Sequence, residues 1–300
     1  MSKAQSSNRG LWTLLIVFGG LFGIFFVFAA LIFVAMSPER FGDNQVGVLE
    51  INGPIVTSDQ VLRDLRYFEE RKEIKGIIVR IDSPGGSAAA SQEIYEAIKR
   101  SEKKIVVSMG NTAASGGLYI ACAGPKIFAN PGTITGSIGV ISQVFEVDEV
   151  MDYLLLKVNT ILTGEYKDTG SPFRDFSDKD RKLYETILLD IYEQFVDAVA
   201  EGRQMERADV LKIADGRILT GRQAKEAGLV DELGGFEVAS AWLATALDID
   251  GPPKLVYPKR QADTLMDLLL DKGMSAIKAE VRSAASPTAT FEYRYAGPGF

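Results

Sequence analysis

The stretch Gly76-Ile77-Ile78-Val79-Arg80-Ile81-Asp82-Ser83-Pro84-Gly85-Gly86 decides the fold class. Its first six residues are almost continuously apolar and β-branched, the pattern of a strand buried on both faces. Pro84 and the paired glycines then stop the strand at a turn whose backbone can take angles closed to other residues. Outward from this stretch, further strand-like runs occur at Val46 to Ile51, Ile105 to Met109, Ile127 to Ala129 and Val158 to Leu162. Between them, Asp59 to Arg71 and Ser91 to Lys103 have helical periodicity, with Tyr95 and Ile98 facing the same way as Ile94. Such alternation predicts a parallel sheet covered by helices, so the fold class is α/β. From Ser177 the sequence reads as mostly helical, over Asp178 to Gln204, Arg207 to Ala214, Gly221 to Ala227 and Phe236 to Leu247. Thr220 is placed to cap the third of these helices and Gly228 to stop it, and Leu255 to Tyr257 reads as an edge strand.

At 300 residues and 46% apolar composition, the chain has ample core for a large domain. Residues 11–36 form a charge-free apolar run, longer than the roughly 20 residues that cross a bilayer and than the roughly 7–15 of a cleavable leader's core. It reads as an uncleaved transmembrane anchor, with residues 1–10 as a short tail. Lys3 and Arg9 face no acid on that side, which puts the tail in the cytoplasm and the rest of the chain outside. Pro38 to Asn44 reads as a linker, 45–260 as the functional domain and 261–300 as a helical segment with a mobile, Pro/Gly/aromatic-rich end.

Without Lys3 and Arg9 the formal charge of −7 becomes about −9, a poor match for nucleic acid. Cys122 is the single cysteine and lies in an apolar stretch, so it reads as a buried structural thiol. The sequence therefore offers no disulfide, no support for a metal site and no cofactor.

The chemistry is bounded by another count: there is no histidine. Ser115, in Ala113-Ala114-Ser115-Gly116-Gly117, follows a strand and opens a small-residue helix, the setting of a hydrolase nucleophile. A serine hydroxyl needs a base to take its proton, and without imidazole that base is a carboxylate or a neutral lysine. Asp82-Ser83-Pro84-Gly85-Gly86 can supply backbone amides for an oxyanion, as can Gly116, although the same glycines could serve an ordinary turn. Lys167, in Thr163-Gly164-Glu165-Tyr166-Lys167-Asp168, is the third candidate. A loop lysine is ordinarily a solvated surface group. To act as base near neutrality its pKa must fall from about 10.4 to about 7–8, a cost near 4 kcal/mol that burial can impose.

These segments, with Thr135-Gly136-Ser137-Ile138-Gly139-Val140, resemble over roughly residues 45–260 the signal peptide peptidase A family in its short bacterial form. The resemblance implies a fold akin to the Clp protease and crotonase group, with Ser115 as nucleophile, Lys167 as general base and Ser137 as the hydroxyl that orients the lysine. Gly85, Gly86 and Gly116 fall where the family's oxyanion amides lie. It further implies a homo-oligomeric ring in the bacterial cytoplasmic membrane, its lysine supplied by the neighbouring subunit and its catalytic domains outside, cleaving signal peptides left after secretion. Extended apolar substrates would lie as added strands beside Ser87 and Asn111. The aromatic end, Phe291 to Phe300, is a candidate either to occupy a neighbouring groove or to be trimmed by the enzyme itself. Two other readings remain: a crotonase-type acyl-thioester enzyme, and a non-catalytic membrane scaffold on the same fold.

Overall fold

A computed structural model describes residue 27, residues 44–258 and residues 292–294. The expected anchor, apart from Val27, the linker before Asn44 and most of the segment after residue 260 lie outside these described residues. The chain divides into two compact units at residues 43 and 44, and the fold that follows is that of the second. Among the described residues no helix is long and apolar enough to cross a membrane.

In chain order the elements are β1 (Gln45–Asn52), α1 (Asp59–Glu69), β2 (Ile74–Ser83), β3 (Gly85–Ser87), α2 (Ala88–Arg100), β4 (Lys104–Ala113), α3 (Gly116–Ala121), β5 (Ile127–Ala129) and β6 (Ile134–Gly136). They continue with α4 (Asp148–Tyr153), α5 (Asp178–Arg203), α6 (Arg207–Leu211), β7 (Ile218–Thr220), α7 (Gly221–Glu226), β8 (Glu232–Leu233), α8 (Phe236–Ala246), β9 (Lys254–Val256) and β10 (Glu292–Arg294).

β2 is central, parallel to β1 with Val48 opposite Ile78, and parallel to β4 with Ile78 opposite Val106. β9 joins the outer edge of β1 in parallel, where an edge strand was expected. β4 is shared: Val107 pairs with Ile127 of β5, whereas Thr112, nearer its end, pairs with Ile134 of β6. That fork carries β6 and its antiparallel partner β7 toward the residues that follow β4. Both faces of the sheet are covered. Ile77, Val79 and Ile81 pack with Phe68, Ile94, Leu118 and Phe195 of α1, α2, α3 and α5, while Ile78, Val106 and Phe128 pack with Ala239 and Leu243 of α8. Alternate residues of β2 thus enter opposite core layers, which is why Ile77, Ile78 and Val79 are apolar in succession. Ile94, Tyr95 and Ile98 are all buried, as the periodicity required. Ser177 and Thr220 each cap their helices with a full capping box.

One expected strand does not form. Residues 157–162 pair with no described strand, and Ile161 is 97% exposed. A strand needs an edge to take its N–H and C=O groups, and among the described residues this segment meets none. It belongs to an arm, residues 139–179, in which no residue is buried and which contains the short helix α4.

Candidate active site

The site is built where β2 and β4 end. Ser115 follows β4 and precedes α3 with φ 53° and ψ −116°, backbone angles rare for any residue but glycine. Hydrogen bonds on every side hold this turn. Ser115 N–H donates to Gly136 O at 2.9 Å, Ala114 N–H to Ser83 O at 3.1 Å, and Thr135 Oγ1 to Ala113 O at 2.7 Å. The Ser115 side chain is fully buried, and its Oγ makes no hydrogen bond with a described residue. Strain at one residue, over-determined by its neighbours, with an unused buried hydroxyl, is a frequent mark of a reactive position.

Ser137 adjoins Gly136, the acceptor of the Ser115 amide, so β6 brings these two serines into one locality. Ser137 also has a positive φ, 54°, and its N–H donates to Arg217 O at 2.7 Å. The glycines lie close by. A Cβ on Gly116 would stand 2.6 Å from Ser91 Oγ and 3.3 Å from both Gly85 Cα and Gly86 N, so this contact requires glycine. Gly86 is tighter still, with room for a Cβ only 2.1 Å from Ile55 O. Gly85, at φ 98°, donates its N–H to Ser83 Oγ at 3.1 Å, and Gly86 lies opposite Tyr293 of β10.

Asn111 is exposed and its Nδ2 donates to Asp82 Oδ2 at 3.2 Å, while Thr112 N–H donates to Asp82 Oδ1 at 3.0 Å. Asp82 therefore ties the glycine turn to the strand before Ser115, a role the sequence did not disclose. Ser87 caps α2, accepting the Ala90 N–H at 3.4 Å, and Ser91 Oγ donates to Ser87 O at 2.9 Å. Along this edge lies β10, antiparallel to β3, with Glu292 opposite Ser87, Tyr293 opposite Gly86 and Arg294 opposite Gly85.

Lys167 stands elsewhere. It sits in a turn of the arm, its N–H bonded to Gly164 O at 3.1 Å, its side chain exposed and making no hydrogen bond or ion pair with a described residue. Within one chain Ser115 and Lys167 are not bonded. The neighbours of Lys167 are tied down: Asp168 and the buried Asp180 both bind Arg174, whose guanidinium holds both carboxyls below the usual range and is itself raised in return. Sequence reading missed this network, although the spacing Ser177-x-x-Asp180 is a visible helix-start signal.

Cys122 is buried, and burial pushes its thiol up to about 12, so it is unreactive near neutrality. Glu146, Asp148 and Asp175 gather carboxylate oxygens within 4.8 Å of one another on the arm, where the Asp148 carboxyl raises that of Asp175. They are largely exposed acids and take no part in the site.

Comparison with known proteins places this geometry. The profile of peptidase family S49 matches residues 97–250 and that of Clp protease residues 49–135. A provisionally named protease of Synechocystis sp. is 43% identical over 227 residues, covering 74% of this chain and 79% of its own length. A provisionally named signal peptide peptidase of Enterococcus faecium is 39% identical over 181 residues, which are 59% of this chain and 53% of the relative. The chloroplastic serine protease SPPA of Arabidopsis thaliana is 33% identical over 236 residues, 77% of this chain but 35% of that longer protein. A serine peptidase on a Clp-like α/β fold is therefore the class that fold and likeness define. Within that class, the chain belongs to peptidase family S49.

Proposed function

We propose that this protein is a membrane-anchored endopeptidase in which Ser115 attacks the peptide bond and Lys167 of a neighbouring copy serves as general base. One observation carries the reading: Ser115 Oγ is buried without a partner at a strained turn, while Lys167 is presented bare on an arm that its own chain leaves uncovered. The arm exposes Phe145, Tyr153, Leu155 and Ile161, apolar surface of the kind that subunit interfaces cover. Burial in such an interface is also what could make a lysine amine neutral near pH 7–8.

The steps follow from the parts. Neutral Lys167 Nζ takes the Ser115 hydroxyl proton as Oγ bonds to the carbonyl carbon, and Ser137 orients the amine. The oxyanion meets the amides of Gly86 and Gly116, each good donor contributing about 3–4 kcal/mol. Collapse breaks the C–N bond, the Lys167 ammonium protonates the leaving amine, and water then hydrolyses the acyl-enzyme by the same base.

Extended, apolar peptides fit the groove, because the Gly85–Ser87 edge accepts an antiparallel strand and β10 lies there already. The Enterococcus relative's name points to signal peptides as the substrate class. An anchor at residues 11–36 in the bacterial cytoplasmic membrane, a homo-oligomeric ring and catalytic domains outside the cytoplasm agree with that class. The test compares purified full-length wild type, Ser115→Ala and Lys167→Ala on a fluorogenic signal-peptide-like substrate between about pH 6 and 10. Loss in both variants, with wild-type activity rising through a single basic pKa, supports the reading; equal activity in all three ends it.

A further inference from the structure

The loop that carries Lys167 has an ionic anchor of its own. No residue between 139 and 179 is buried, so the loop is held to the start of α5 by surface contacts: the Phe176 ring lies edge-on to Tyr184 with centroids 5.4 Å apart, and a set of polar bonds surrounds it. Arg174 is the centre of that set. Its Nε and Nη2 donate to the two carboxylate oxygens of Asp168 at 2.9 and 3.1 Å, and Nη2 also reaches Asp168 O at 3.2 Å. Its Nη1 and Nη2 donate to the two oxygens of Asp180 at 2.6 and 3.0 Å, and Nη1 to Asp175 O at 2.9 Å. One guanidinium thus grips two carboxylates in two-pronged fashion, the geometry that arginine supplies and lysine cannot.

The far end of the grip is firm. Asp180 has a side chain only 2% exposed and accepts the Ser177 N–H and hydroxyl at 3.1 and 2.7 Å. It stands in the first turn of α5, whose Phe195, Val196 and Val199 are buried in the core. Core, α5, Asp180, Arg174 and Asp168 therefore form one chain of contacts ending at the residue next to Lys167. Other residues beside Lys167 are held to the same helix: Lys179 pairs with Glu165 at 2.6 Å and lies 4.0 Å over the ring of Tyr166. From Glu165 to Asp168, Lys167 alone is left pointing free.

The geometry points to Arg174, braced by Asp180, as a positioning residue that pre-sets Lys167 for the serine of a neighbouring copy. This rests on Lys167 being the general base. Placing the lysine before assembly would spare the active site the cost of ordering a loop, and a misplacement of about 1 Å can cost on the order of 100-fold in rate. The charged groups around the loop are Glu165, Asp168, Arg174, Asp175, Lys179 and Asp180. None of them would be asked to bind substrate.

The test uses full-length Arg174→Lys, Asp168→Asn and the double variant Arg174→Gln/Asp180→Asn, which removes both charges together and so avoids stranding a buried carboxylate. Lys167→Ala is the control for the underlying reading. The expected result is a kcat lowered about 10- to 100-fold with KM little changed, and Arg174→Lys recovering part of it. Assembly size and melting temperature should stay close to wild type. Wild-type kcat in these variants, or a loss that tracks the fraction of folded assembly, overturns the positioning role while leaving Lys167 as base. Activity retained in Lys167→Ala overturns both.

Discussion

Each residue of the site is held by something that a single substitution would disturb in a stated direction. Gly86 faces Ile55 O, a backbone atom that cannot swing aside, so Gly86→Ala should destabilise the fold by about 1–3 kcal/mol in urea titration as well as abolish hydrolysis. A wild-type midpoint for that variant would show that the glycine turn is looser than described. Gly116→Ala meets the Ser91 hydroxyl most closely and the backbone of Gly85 and Gly86 at 3.3 Å, so it should lose activity and some stability, and regain part of both on adding Ser91→Ala. No gain from the second change would place the obstruction at Gly86 instead. At this scale Ser115 was legible as a candidate because a serine among alanines and glycines after a strand is unusual and histidine was absent. Asp82 and Ser91 were not legible: their roles depend on which segments the sheet brings side by side.

Among the elements, the regular α/β alternation was readable because β1, β2 and β4 are buried on both faces and their sequences show it. The short strands β6, β7 and β8 have too few residues to carry a period. Residues 158–162 failed in the opposite way, with the composition of a strand and no edge among the described residues to complete it. If the arm is an assembly surface, Ile161→Glu should leave circular dichroism unchanged and shift sedimentation toward smaller species, with activity falling in proportion; undiminished assembly would contradict that use of the arm. The Arg174 clamp gives the arm its own acid limit. Asp168 and Asp180 have lowered pKa values in the fold, so they favour the docked arm above the ordinary carboxylate value near pH 4, and that contribution fades as pH falls through the lowered values. Amide protection over 164–171, corrected for intrinsic exchange, should therefore decline below about pH 4 before that of β1 and β2 does. Simultaneous loss in arm and core would mean that the clamp is not what holds the arm.

For the molecule as a whole, the central claim is that one copy supplies the nucleophile and another the base. Among the described residues Ser115 Oγ is buried without a partner and Lys167 is exposed without one, and a second copy that joins them is the proposal to be tested. Sequence alone could nominate both residues, because the four motifs resemble one family, but could not show that they are unbonded within the described residues. The most direct measurement mixes inactive Ser115→Ala protein with inactive Lys167→Ala protein, verifies subunit exchange by mass, and follows peptide hydrolysis. Hydrolysis that appears on mixing, at a fraction of wild-type activity set by the mixing ratio, is the predicted result. A mixture that exchanges subunits fully and stays inactive would place both residues in one subunit and contradict the account.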